Sequence, residues 1–276
     1  MHRLLGLLII LNLFGSSLFA QERPLPIEQV RPLIDSVQME INRMYRLSVS
    51  GKKALGLAKN QQEGNNRINN QLTYIHKDTT VVLLLDSNQK VLMTVYFRGE
   101  ENELLKTKQI VRALSKEESI QFQAKQKALE EAQKKQYAIQ APEECAMEYI
   151  FHPNRSGHTL HVLAIPLVDS ILPTGHNHHF LFDYQMNVLR YSQTKKLKVH
   201  SIRKKDNPPK STLISVSAPI HQKSNDFKIL IPYFYKYRIY HQNLGLTQYG
   251  ASINKRSLTY DADKNKISIK LFPAEE

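Results

Sequence analysis

The sequence predicts an α+β protein: N-terminal helices followed by a mainly antiparallel sheet built from hairpins. Three observations predict it. Apolar residues recur at helical spacing between Pro26 and Arg46. From Met147 onward the apolar period shortens to that of strands. The strand runs are joined by short turns rich in Asp and Asn, which bring neighbours together antiparallel. Helices first and strands after is an α+β order, not the alternation of a doubly wound sheet.

Each element has its own reason. Between Pro26 and Arg46, Val30, Ile34, Val37, Ile41, Met44 and Tyr45 make one apolar helix face, with Pro32 tolerable only near the start. Lys53 to Tyr74 reads as a weaker helix, interrupted by Gly64-Asn65-Asn66 and weakened by Asn69-Asn70. Thr79 to Phe97 is the clearest hairpin: Val81 to Leu85, a turn over Asp86 to Lys90, and a return from Val91 to Phe97. Glu101 to Ala113 reads as helix. Ser115 and Glu118 then form a capping box, opening a charged surface helix around 116–137 with a thin apolar stripe of Ile120, Phe122, Ala128, Leu129 and Ala132. Such a helix either lies solvated on the surface or presents a coiled-coil face to a partner.

Strands are expected at Met147–Phe151, Thr159–Pro166, Phe180–Phe182, Val188–Ser192, Leu197–Ile202 and Leu213–Val216, with a loop at Asn207-Pro208-Pro209. Phe227 to Arg238 fits a helix face through Phe227, Leu230, Ile231, Phe234 and Tyr235, although Pro232 inside it would cost about 3 kcal/mol. Read as a strand, it would align Tyr233, Tyr235 and Tyr237; the helix is preferred. Ser257 to Leu271 closes the chain as a hairpin. Asp86, Asp183 and Asp261 each stand four residues before a returning strand, because an Asp side chain can bond the turn's own amides. Reuse of this turn chemistry explains the likeness more simply than an internal repeat.

Residues 1–20 have the pattern of a secretory signal peptide: Arg3, an apolar run from Leu4 to Phe14, a break at Gly15-Ser16-Ser17, and Ala20 before polar Gln21. The run is too short for a comfortable membrane span, which needs about 20 residues. An uncleaved anchor is the alternative, since Leu18 is large for its place before the cut. Cleavage leaves 256 of the 276 residues, enough for a single α+β domain over 21–276 without staples. Cys145 is the only cysteine, so no internal disulfide forms, and with no basic neighbour it reads as an inert thiol.

The net charge of +13 favours anionic partners such as lipid headgroups or glycans; a protein partner is also open, and nucleic acid is not the expected one. For chemistry, the histidines stand out: His152, His158, His161, His176, His178, His179 and His200. If the stretch before Phe180 is extended, His176 and His178 share a face and His200 could join them, giving the three ligands of a zinc site. No His-Glu-x-x-His is present, and surface histidines of a basic protein are the alternative. His158 and His161, three apart on a strand, point to opposite faces. Paired carboxylates for acid–base work are scarce in the strand-rich half, where nothing singles out a pair, and no nucleophile elbow, phosphate loop or dinucleotide fingerprint occurs. Ser156 near His158 is no triad without geometry. Tyr233 to His241 is an aromatic-basic run, read as core aromatics with snorkelling Lys236 and Arg238 or as a stacking surface.

Gly175, Phe182-Asp183, Val188-Leu189 and His200 resemble a family of exported bacterial proteins of unknown function whose hairpin reads Gly-Asn-Asp-Tyr, apolar residues, Phe-Asp, a turn and a strand leading to His. Asn225-Asp226-Phe227 and Tyr260-Asp261 extend the likeness over roughly the last hundred residues. The chain departs at His176-Asn177-His178, where the family has Asn, Asp and Tyr. The resemblance implies export and no particular activity. The expectation is a non-catalytic envelope or secreted protein that binds an anionic partner, with a metal-dependent hydrolase built on His176, His178 and His200 as the alternative and zinc its cofactor.

Overall fold

The computed structural model of the protein describes residues 26–61, 68–168, 171–173, 175–194, 199–201, 230–244, 248–253, 256–261 and 264–271. The expected signal peptide over residues 1–20, the expected loop at Asn207-Pro208-Pro209 and the expected strand at Leu213–Val216 lie outside them. What is described is α+β, a long N-terminal helix followed by antiparallel sheets of hairpin strands.

Helix α1 (Ile27–Gln61) is the element against which much of the rest packs. Its stripe of Val30, Ile34, Val37, Ile41, Met44 and Leu47 is buried, and Pro32 falls in the first turns. The stripe continues through Ala54 and Ala58, so the first part of the weaker helix at Lys53 belongs to α1. The expected helix does not reach Tyr74. Strand β1 (Asn70–His76) stands there, because its backbone pairs along the full length of β2 (Thr79–Leu85). β3 (Val91–Arg98) completes the predicted hairpin, and Leu83 and Leu85 are fully buried.

The expected helix over Glu101–Ala113 is instead β4 (Glu103–Lys108), paired with β3 and followed by a two-way Val91–Arg112 backbone bridge. Most of β4 is exposed, so packing does not dictate its shape; the open edge of β3 does, by offering backbone partners that outweigh a weak helical propensity. Helix α2 (Lys116–Ala132) begins with the predicted capping box: the Glu118 amide donates to Ser115 Oγ at 3.2 Å and the Ser115 amide to Glu118 Oε2 at 2.8 Å. Its buried Ala124, Ala128 and Ala132 lie against the second sheet.

That sheet runs β5 (Cys145–Asn154), β6 (Gly157–Pro166), β8 (Asn177–Phe182), β9 (Val188–Thr194), all antiparallel. β7 (Ile171–Pro173) leaves it to pair with β10 (Val199–Ser201). Strand alternation divides the sheet between two cores. Phe151, Leu160, Val162, Phe180 and Phe182 face α2, while Ile150 and Leu163 face α1.

Helix α3 (Ile231–Leu244) settles the ambiguous segment. Pro232 is its second residue, where no intrahelical N–H is lost. Tyr233, Phe234, Tyr235 and Tyr237 are buried against α1, so the aromatic run is core rather than a stacking surface. β11 (Gln248–Ile253), β12 (Arg256–Asp261) and β13 (Lys266–Leu271) form the last sheet. Among the described residues the order helix, then antiparallel sheet, thus occurs three times, and each of these three sheets has one aspartate turn. Asp86 Oδ1 accepts from the Asn88 and Lys90 amides, Asp183 Oδ1 from Asn187, and Asp261 Oδ1 from Lys264.

Candidate metal centre

On the α1 side of the second sheet, alternation places side chains from β5, β6 and β8 in one layer. Ile150 pairs with His161 and His161 pairs with His179, so His152, His161 and His179 face the same way across three strands. Glu40 descends onto them from α1, within the apolar stripe between Val37 and Met44. Its Oε1 lies 2.7 Å from His152 Nε2 and 2.9 Å from His161 Nε2. Both rings are buried, and Glu40 is only slightly exposed. Arg43, one turn on, reaches Glu40 Oε2 at 3.3 Å.

The protons in this cluster follow from its partners. His152 Nδ1 is 3.0 Å from the Pro153 carbonyl oxygen, while its Nε2 faces the carboxylate. Both are acceptors, so two hydrogen bonds require a proton on each nitrogen. Burial alone would raise the Glu40 pKa. The charge of His152 and the bonds from His152 and His161 outweigh it, holding the carboxyl well below the ordinary range. Burial pushes His161 down despite the pull of Glu40, which keeps its ring neutral. Its Nδ1 is buried without a hydrogen-bond partner. His179, 4.9 Å from His161 between ring centroids, is pushed down to about 3, first by burial and then by His161.

Glu40, His152 and His161 therefore offer one oxygen and two nitrogens, all within 4.8 Å of one another, and this group could hold a metal ion. A cation there would replace the Nε2 protons of both His152 and His161, and the neutral His161 ring would carry its proton on Nδ1. It would leave the His152 Nδ1–H on the Pro153 carbonyl, the outer bond that orients a ligating imidazole.

The histidines expected from the sequence sit elsewhere. His178, on the opposite face of β8 from His179, is buried toward α2 and its Nδ1 meets Tyr191 Oη at 2.8 Å. Its ring is pushed down to about 4, first by burial and then by the charge of His176. His176 precedes the strand at φ +56°, outside the alternation that would align it with His178, and its carbonyl accepts from the Ala164 amide. His200 stands on β10 opposite Leu172, in the two-stranded sheet. Among the described residues, the group at ligand distance is the Glu40 one.

Ser156 is spent in the β5–β6 turn, its amide and hydroxyl both donating to Asn154 Oδ1. Cys145 is buried, and burial pushes its thiol up, as an inert thiol should be. Sequence reasoning missed Glu40 because its search for carboxylates covered the strand-rich half. The signal was a lone acid inside the apolar helix face, three residues after Val37 and four before Met44. No known protein family, curated protein or solved structure matches this chain.

Proposed function

We propose that the protein is an exported metal-binding protein that holds a divalent transition ion through Glu40 Oε1, His152 Nε2 and His161 Nε2. The observation that carries this is their convergence from three elements, with the His152 ring already oriented by a backbone carbonyl. Two imidazoles and a carboxylate suit zinc, which takes such donors at about 2.0–2.2 Å. Burial of both rings favours an ion that ties α1 to the second sheet over one that turns over a substrate. The ligand count of three, with one tetrahedral position left for water, favours a hydrolase as the second reading.

Export rests on the N-terminal 20 residues and on the hairpin resemblance; the charge of +13 suits contact with anionic envelope components. Mass spectrometry of protein recovered from cells tests the first point, with Gln21 expected at or near the mature N-terminus.

The metal is tested by stripping the protein with chelator, titrating zinc calorimetrically, and measuring retained metal after dialysis. One zinc per chain is expected, lost in His161→Ala and kept in His178→Ala. Loss in His178→Ala with His161→Ala unaffected would move the site to His176, His178 and His200. No retained metal in the unsubstituted protein would end the proposal.

A further inference from the structure

A second site lies away from the histidines, where the outer edge of β1 faces the outer edge of β5 beneath α1 and α2. Both strands end their sheets, so the two edges leave a cleft of about 330 Å³. That volume is within the range of small-molecule sites. Its apolar lining is Leu47 and Leu55 of α1 with Ile150 and Phe151, which flank the β5 edge on either face.

The polar lining is unevenly satisfied. The acid in the cleft, Glu148, is fully engaged: Oε1 takes Ser48 Oγ at 2.5 Å and Lys52 Nζ at 2.8 Å, and Oε2 takes Tyr235 Oη at 2.9 Å. Lys125 of α2 is not. Its Nζ donates to the Gln71 carbonyl at 2.6 Å, and no carboxylate stands within ion-pair distance of it among the described residues. Burial alone lowers its pKa, to about 8, so at neutral pH most of it remains cationic. Thr73 and Gln71 of β1 also line the cleft, and Thr73 Oγ1 and Gln71 Oε1 are buried without partners. A half-buried cation with a carbonyl but no counter-ion, in a cleft that also holds an unpaired hydroxyl, is costly unless something completes it.

We propose that this cleft binds a small monocarboxylate with an apolar body, its carboxylate on Lys125 Nζ and Thr73 Oγ1 and its body against Leu47, Leu55, Ile150 and Phe151. One carboxylate answers the Lys125 ammonium and the Thr73 hydroxyl, though not Gln71 Oε1, itself an acceptor, and the apolar lining answers the rest of the ligand. The proposal is independent of the metal centre.

The test is calorimetric titration of the mature protein with hexanoate, hexanamide and inorganic phosphate. Hexanoate should bind, and hexanamide, of the same shape without the charge, about tenfold more weakly or worse. Phosphate, which has no apolar body, should bind more weakly than hexanoate. Lys125→Met keeps the length of the side chain and should weaken hexanoate by about tenfold or more. Thr73→Val, which replaces only the hydroxyl, should weaken it by a smaller factor and serves if Lys125→Met fails to fold. Equal binding of acid and amide, equal binding of phosphate, no binding of hexanoate, or a folded variant with unchanged affinity would each overturn the proposal.

Discussion

His161 Nε2 donates to Glu40 Oε1 at 2.9 Å across 121 residues of sequence, joining the middle of α1 to the middle of the second sheet. This contact buries a carboxylate whose compensation comes from His161, His152 and Arg43. In chelator-treated protein, Glu40→Ala should therefore destabilise by about 3 kcal/mol, the lower end of the range for breaking a buried pair, because two buried rings lose their acceptor. Glu40→Gln, which keeps an acceptor oxygen, should cost less. Because the folded Glu40 pKa lies below its ordinary 4.5, the unfolded chain takes up the proton first as pH falls. The stability it contributes is present above about 4.5 and lost below it. Urea titrations at pH 7 and pH 3.5 should show the difference between wild type and Glu40→Gln shrinking at the lower pH.

Lys236 gives a pH signature of the same sign at higher pH. Its Nζ is buried and donates to the Pro173 carbonyl at 2.9 Å, and burial, the largest influence, pushes its pKa down to about 7. Below pH 7 both folded and unfolded chains hold the proton. Between about 7 and the ordinary 10.5 only the unfolded chain does, so this group makes stability rise with pH. Lys236→Met should flatten that rise, read as the difference between melting temperatures at pH 6.5 and pH 9.5. An undiminished rise in the variant would assign it to another group.

Gly157, the first residue of β6, has φ +146°, a conformation that side chains rarely adopt. A Cβ there would sit 2.8 Å from Asp183 Cα and closer still to the Phe182 carbonyl oxygen, both backbone atoms that cannot rotate away. Gly157→Ala should cost on the order of 2–5 kcal/mol, overpacking and backbone strain together. A denaturant midpoint within error of wild type would show that β6 and the Asp183 turn are not in contact.

Phe182 is fully buried and its ring stacks on Phe180 at 5.9 Å. Phe182→Ala should cost about 3–5 kcal/mol by cavity formation. His178→Ala, on the same face, removes one bond to Tyr191 and should cost about 1–3 kcal/mol. Guanidinium titrations of the two variants should rank them in that order.

Local sequence determined the fold class, the apolar stripe of α1, the capping box at Ser115, the Val81–Phe97 hairpin and the three aspartate turns. In each of these the deciding interactions lie within a few residues: side chains one helical turn apart, a hydroxyl and the amide three residues on, a carboxylate and the turn that follows it. The sequence could also mark the stretch from His152 to His200 as rich in metal-ligating residues.

Tertiary structure alone decided the rest. Glu103–Lys108 is a strand because β3 has an open edge, and Asn70–His76 because β2 does. Lys236, expected to snorkel, is buried because α3 turns it toward the Pro173 carbonyl. His161 rather than His178 joins the Glu40 group for the same kind of reason. The two sit on different faces of adjacent strands, and register with β5 and the descent of α1 choose which face carries Glu40. Partners separated by more than a hundred residues leave no spacing to read along the chain, so a site made of them exists only once the strands and helix have packed.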